Sequence, residues 1–175
     1  MHVATREVRT MSRFHTIVVA LDFSDSTPDA LDSALALAAA EVDSHLHLLH
    51  VVPSAVPPLW TDEPSPMDLG PIEQARMQAA LTQLKMMAVS RALDPANVTT
   101  AVEVGAPANE IVRYAESHRA DVIVLGSHGH GLVRRFLLGS VADKLVRQAP
   151  CAVLVVAHRT LRHPTPAPAS QPALP

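Results

Sequence analysis

Five short apolar segments, rich in valine, isoleucine or leucine, alternate along the chain with longer segments that have helical spacing. The apolar segments span residues 15–21, 45–52, 98–104, 121–125 and 152–157. The first of them is a continuous apolar run, which is typical of a strand that a parallel sheet buries on both faces. Because a helical segment follows each of the first four strands, the order βαβαβαβαβ predicts a doubly wound α/β fold, with helices on both faces of the sheet.

Helix-start residues and prolines mark the segments that connect these strands. Residues 24–28 are a run of helix-start residues, and the helix that they open is predicted to reach about Asp43. Pro71 opens a second helix, which is predicted to stop at Asp94 before Pro95. Pro107 opens a third helix, and Ser140 is predicted to cap the fourth. The third strand has its apolar residues at alternate positions, which indicates a place near an edge of the sheet.

The composition excludes several classes of protein. A chain of 175 residues, 48% of them hydrophobic, is large enough for one domain with a real core. With 14 lysines and arginines against 17 acidic residues, the net charge of -3 argues against nucleic-acid binding. No apolar run is long enough to span a membrane. Because Cys151 is the only cysteine, no internal disulfide forms, and a reducing, cytoplasmic location is expected.

The apolar and helical pattern occupies residues 14–158, which we expect to form one domain. Residues 1–13 are predicted to be an N-terminal extension, and residues 159–175 a disordered tail rich in proline and alanine. Residues 53–71 hold six prolines and the only tryptophan, so they are predicted to be a long loop inside the domain.

A glycine-rich segment follows the fourth strand and carries most of the chemical information. Four of the six glycines fall between Gly126 and Gly139, and a helix is predicted immediately afterwards. Glycines let the backbone approach a ligand closely, and their amides together with a helix N-terminus favour an anion. Asp22 follows the first strand, so it meets this segment if strands one and four are neighbours. The pattern then predicts a ligand that carries phosphate.

Two common phosphate-binding motifs are missing. The glycine-rich segment has no GxxxxGK[ST] pattern, so it is not a P-loop. The first strand is followed by Asp22, Phe23 and Ser24 rather than by GxGxxG, so the dinucleotide fingerprint is absent too. The alternative is that the glycines only shape turns.

The spacing of these glycines resembles that of a known family. Gly126, Gly129 and the pair Gly139 and Ser140 follow the pattern G-2x-G-9x-G-[S/T], which is similar to that of the ATP-binding branch of the universal stress protein family. The segments VVALDFSD, LLHVV, DVIVLGSHG and LLGSVADKLVRQAPCAVLVV also resemble family segments, in the family's order. The resemblance covers about residues 14–158. Ala152 is one departure, since the family often has proline there.

The resemblance implies the fold and the ligand. The fold is an open five-stranded parallel sheet of order 3-2-1-4-5, Rossmann-like, and the ligand is ATP. The Val51 backbone would hold the adenine edge, and Asp22 would reach the ribose or the metal side. Mg²⁺ or Mn²⁺ would be held mainly by phosphate oxygens and water. The remaining implied site residues line the base and ribose or cradle the triphosphate: Ala20, Leu21, Leu125, Gly126, His128, Gly129, Gly139, Ser140 and Val141.

The family resemblance also implies a homodimer through the last strand. This strand is predicted to begin at Ala152 and to end at Ala157. Such a strand at a sheet edge offers unpaired backbone and apolar side chains.

Three functions remain open at this point. The first is an ATP-binding, nucleotide-dependent regulator or sensor of the stress response. The second is a slow ATPase or phosphotransferase, for which Asp22, His128 and His130 are the only candidate bases and none has a readable orienting partner. The third is a nucleotide-free dimer that binds protein partners. His45 and His47 share a strand face, but no cysteine lies nearby in sequence, and no metal site is predicted there.

Overall fold

The computed structural model describes residues 14–41, 43–54, 70–127 and 138–158. The predicted N-terminal extension, most of the proline-rich loop, the middle of the glycine-rich segment and the C-terminal tail lie outside these ranges. None of the helices in the described ranges is both long and apolar enough to cross a membrane.

The described residues form one five-stranded parallel sheet with helices on both faces. In chain order the elements are β1 (Thr16–Ala20), α1 (Thr27–Ala39), β2 (His45–Val52), α2 (Gly70–Ser90), a short 3-10 helix (Pro95–Asn97), β3 (Val98–Val104), α3 (Pro107–Ser117), β4 (Val122–Gly126), α4 (Ser140–Gln148) and β5 (Ala152–Val156). The strand order is β3-β2-β1-β4-β5, which confirms the predicted fold. β3 and β5 are the edge strands, as the alternating pattern of β3 and the family resemblance for β5 predict.

The sheet separates two hydrophobic cores. Successive side chains of a strand point to opposite faces, so Ile17 and Val19 pack under α1 and α2, whereas Val18 packs under α3 and α4. Leu31 and Leu84 complete the first core and are fully buried. Burial on both faces explains why β1 and β4 are continuous apolar runs in the sequence.

Two helix ends differ from the prediction. α1 ends at Ala39 rather than near Asp43, and Asp43 itself has a φ of 63°, which a helix does not allow. α2 ends at Ser90, before the predicted stop at Asp94. Asp94 instead caps the 3-10 helix, because its Oδ1 accepts a hydrogen bond from the Ala96 amide at 2.9 Å.

A single carboxylate holds the start of β1 against β4. Oδ2 of Asp121 accepts hydrogen bonds from the amides of His15 and Thr16, each at 2.8 Å. The Asp121 amide in turn donates to the Thr16 carbonyl at 2.9 Å. These bonds fix where the two central strands begin relative to each other.

An aromatic cluster lies at the amino end of β2, at the edge of the sheet opposite the carboxyl ends of the strands. His47 is buried, and its Nδ1 lies 3.0 Å from the Tyr114 hydroxyl of α3. The rings of His45 and His118 lie 5.0 Å from the His47 ring, centroid to centroid. Burial, with smaller contributions from the charges of His45 and His118, lowers the pKa of His47 from 6.5 to about 4.

This pKa predicts a pH dependence of stability. Because the folded state favours neutral His47, the free energy of unfolding is greatest above pH 6.5 and falls as the pH drops from 6.5 towards 4. The loss from this group is at most about 3 kcal/mol. Urea unfolding of the wild type and of His47→Gln between pH 4 and 7 measures it, and the variant is expected to show the weaker dependence.

His15→Gln is the matched control, since the His15 side chain is exposed and lies outside the cluster. It should follow the wild-type pH profile. Identical profiles for the wild type and His47→Gln would contradict the assignment.

Candidate functional site

A cavity of about 390 Å³ opens at the carboxyl ends of β1, β2 and β4. β1 lies between β2 and β4, so the chain connections leave β1 and β4 towards opposite faces and a crevice remains between them. The cavity has a volume typical of a small-molecule site. Its described lining residues are Ala20, Leu21, Asp22, Leu49, His50, Val51, Pro53, Pro107, Ile111, Leu125, Gly126, Ser127, Gly139, Ser140, Val141 and Ala142.

The turn after β1 presents Asp22 to this cavity and holds its carboxylate in place. Oδ1 of Asp22 accepts hydrogen bonds from the Ser24 amide at 3.0 Å and the Ser24 hydroxyl at 2.6 Å. The Thr27 hydroxyl donates to the same oxygen at 3.2 Å. The bond from a residue two positions later is an Asx turn, for which aspartate is a preferred residue. These contacts leave Asp22 little rotational freedom.

Phe23 occupies a left-handed conformation in this turn, with a φ of 62°. A bulky residue pays a steric cost there, so the surrounding contacts must maintain the conformation. Its ring stacks on the imidazole of His50, with the centroids 4.5 Å apart and the planes at 28°. Nδ1 of His50 lies 2.7 Å from the Leu21 carbonyl. Because a carbonyl only accepts, Nδ1 carries the proton.

The backbone of Val51 points into the crevice. In a parallel strand, consecutive residues direct their amide and carbonyl groups to opposite neighbouring strands. The Leu49 carbonyl accepts from Leu21, and the Val52 carbonyl accepts from Gly105 of the β3 side. Val51 therefore faces the β1 side, like Leu49, but β1 has already ended at Ala20.

Two helix N-termini complete the site. α3 contributes Pro107 and Ile111 to the lining, and α4 contributes its first turn. The first backbone bond of α4 runs from the Asp143 amide to the Gly139 carbonyl at 2.9 Å. The amides of the three preceding residues thus lack a partner within the helix. This geometry, with the helix dipole, favours an anion.

Ser140 does not cap this helix, contrary to the prediction. α4 begins at Ser140, and Gly139 occupies the N-cap position without a side-chain bond. A side chain inside the first turn cannot reach the amides ahead of it as an N-cap residue does. The Gly139 amide donates to the Ser127 carbonyl at 2.9 Å, so the two ends of the glycine-rich segment meet beside the cavity.

The structure brings together most of the residues that the sequence predicts for the site. Nine of them line the cavity: Ala20, Leu21, Asp22, Val51, Leu125, Gly126, Gly139, Ser140 and Val141. The other two, His128 and Gly129, lie outside the described residues. Sequence reasoning missed seven lining residues, namely Leu49, His50, Pro53, Pro107, Ile111, Ser127 and Ala142. Pro107 carried a usable signal, because a helix N-terminus after an α/β strand lies at this edge of the sheet.

The lining is mainly apolar. Among its described residues Asp22 is the only carboxylate, and none is lysine or arginine. With no lysine or arginine among these residues, backbone amides are the main donors that this part of the cavity offers to an anionic group.

Comparison with known proteins shows the family of the chain. Residues 13–157 match the sequence profile described as the universal stress protein family. The chain belongs to the universal stress protein family. It is 34% identical over 143 residues to universal stress protein MJ0531 of Methanocaldococcus jannaschii, with 82% of each chain covered. It is 32% identical over 149 residues to universal stress protein YxiE of Bacillus subtilis, with 82% of this chain and 99% of the relative covered.

Solved universal stress protein structures share the fold. The universal stress protein UspA from Lactobacillus plantarum superposes with a TM-score of 0.66 at 28% identity, covering 82% of this chain and 98% of that one. A universal stress protein in complex with cAMP superposes with a TM-score of 0.59 at 27% identity, covering 83% of this chain and 98% of that one.

Proposed function

We propose that this universal stress protein binds ATP and acts as a nucleotide-dependent regulator or sensor of the stress response. The observation that carries the proposal is the cavity itself. At one end of the cavity is an apolar slot, where the backbone of β2 extends past the end of β1. At the other end is the first turn of α4. A nucleotide needs both, because its base is flat and largely apolar and its phosphates are anionic.

The base would lie in the slot between β2 and α3. Leu21, Ile111 and Leu125 supply apolar surface, each at most 5% exposed. The amide and carbonyl of Val51 would bond the polar edge of the adenine, as the backbone direction argued above allows. Asp22, fixed by Ser24 and Thr27, would accept from the ribose hydroxyls.

The phosphates would extend towards α4 and the glycine-rich segment. Gly126, Gly139, Ser140 and Val141 line that end of the cavity. The family resemblance adds His128 and Gly129 from the segment between them. Since the described lining has no lysine or arginine, the amides of the α4 first turn would carry the attraction to phosphate.

A divalent cation fits this site as a companion of the phosphates. Within the described ranges, no group of three or more His, Cys, Asp or Glu side chains could hold a metal ion. Mg²⁺ typically binds proteins through one or two carboxylates together with substrate phosphates and water. We therefore propose that Mg²⁺ or Mn²⁺ enters with ATP, with phosphate oxygens and water as its main ligands.

A solved relative supports nucleotide binding. The universal stress protein whose structure contains cAMP is 27% identical to this chain. That ligand combines an adenosine with a phosphate, which are the two parts that the cavity fits.

The hydrogen bonds of Asp22 support a binding role. Oδ1 of Asp22 already accepts from the Ser24 amide, the Ser24 hydroxyl and the Thr27 hydroxyl. These bonds suit a carboxylate that orients a ligand.

ATP binding is tested by calorimetry with Mg²⁺ on the wild type and on Gly129→Val. We expect the wild type to bind and the variant to lose at least about tenfold in affinity, because a branched side chain blocks close approach of the backbone to phosphate. Gly70→Val is the matched control, since Gly70 is exposed at the start of α2 and outside the cavity lining. A wild type that binds no nucleotide would overturn the proposal.

We also propose a homodimer through the outer edge of β5. Among the described residues β5 pairs with β4 alone, and Leu154 in its middle is 36% exposed, which is high for a leucine in a strand. Unprotected edges of this kind are usually covered in native proteins. A second copy of the same strand would satisfy both its backbone and its apolar side chains.

Val155→Pro is expected to convert the dimer into a monomer. The Ala152 amide donates to β4, so the Val155 amide faces the outer edge, and proline removes that donor without breaking the β4 ladder. Val102→Pro is the matched control on the other edge, because the Gly105 amide bonds β2 and the Val102 amide therefore faces outward. Light scattering at micromolar concentration measures the mass; a monomeric wild type or a dimeric Val155→Pro would contradict the interface.

A further inference from the structure

We infer that His50 is a positioning residue of the cavity. Its imidazole donates a hydrogen bond to the Leu21 carbonyl and so ends the β1–β2 ladder. The Val51 amide is then left available to a nucleobase. The inference deepens the proposed nucleotide binding and rests on it for the identity of the ligand. The arrangement of the ladder itself stands on the geometry of the described residues.

The β1–β2 ladder stops one bond early. The Leu21 amide donates to the Leu49 carbonyl at 2.8 Å, which is a regular parallel bond. In a regular parallel ladder the next bond runs from the amide two residues later, that of Val51, to the Leu21 carbonyl. Here the Leu21 carbonyl instead meets Nδ1 of His50 at 2.7 Å. A side chain of β2 has replaced the main chain of β2 as the donor.

The replacement is chemically complete. A backbone carbonyl must be satisfied when it is removed from water, and the Nδ1–H of His50 does this with a short bond. The Leu21 side chain is 3% exposed, so its carbonyl lies in a crowded region where a lost bond is costly. Because His50 donates to this carbonyl, the Val51 amide is not needed as its donor and can donate to a ligand.

Phe23 keeps the imidazole in this position. The left-handed φ of Phe23 turns the chain after Asp22 so that its ring stacks on His50 at 4.5 Å. The stack restricts rotation of the imidazole, and the hydrogen bond fixes its tautomer. The same turn carries Asp22, so one local structure sets both the proposed ribose contact and the proposed base contact.

Hydrogen exchange of the Val51 amide, followed by NMR in the ligand-free protein, tests the ladder directly. In the wild type this amide should exchange quickly for a residue in a central strand. In His50→Phe the Leu21 carbonyl loses its donor, so the Val51 amide should close the ladder and exchange at least about tenfold more slowly. His50→Asn keeps a donor near the Nδ1 position and should exchange like the wild type.

Nucleotide affinity tests the consequence. Calorimetry with ATP and Mg²⁺ should show His50→Phe about tenfold weaker than the wild type, the effect of one hydrogen bond. His50→Asn should recover most of this loss. His45→Phe is the matched control, because His45 is on the same strand at its other end, where its Nε2 contacts the Thr99 hydroxyl at 2.8 Å. It should bind like the wild type.

The outcomes separate the inference from the proposed function. A Val51 amide that is already protected in the ligand-free wild type, or that stays unprotected in His50→Phe, would overturn the inference even if ATP binds. Protection in His50→Phe without any change in affinity would also overturn it. A wild type that binds no nucleotide would reject the proposed function and with it the nucleobase as the ligand, while the exchange rates would still decide whether His50 ends the ladder.

Discussion

The position of β1 between β2 and β4 is the constraint on which the rest of the structure depends. β1 has five residues, whereas β2 has eight and continues past it. The shorter central strand leaves a gap at one edge of the sheet, and the turn after β1 and the two helix N-termini surround that gap. Asp121 sets where β1 starts, through its bonds to His15 and Thr16. The opposite end of the strand, away from the cavity, is thus held by a separate contact.

Most of the fold could be predicted because each strand is short, apolar and followed by a helix. Burial on both faces makes β1 and β4 unmistakable, and the connection rules then limit the topology. Asp22 and the glycines could be placed together once strands one and four were neighbours, since parallel strands end at one edge. Helix ends are predicted less accurately. Ser140 is predicted as the N-cap of α4 but is its first residue, and an error of one residue is usual for a helix boundary.

Other features of the site depend on distances that a sequence does not contain. The role of His50 requires the register of β2 against β1 and the ring position that Phe23 enforces. The cluster around His47 joins β2 to Tyr114, 67 residues later, and no local pattern marks that pair. Val51 was expected from family resemblance alone, and the alternation of backbone directions supplies an independent physical reason for it. His128 and Gly129 lie outside the described residues, so their contribution remains a prediction.

The separation of the two hydrophobic cores by the sheet has a consequence for how this chain can change. Almost all buried residues around the cavity belong to the layer of α3 and α4, with Leu21 as an exception from the other layer. The layer of α1 and α2 contributes to stability but borders the cavity mainly through the turn that starts α1. Residues such as Leu31 and Leu84 are in the core but do not line the cavity. We therefore expect exchanges of similar volume there to alter thermal tolerance more than the shape of the cavity.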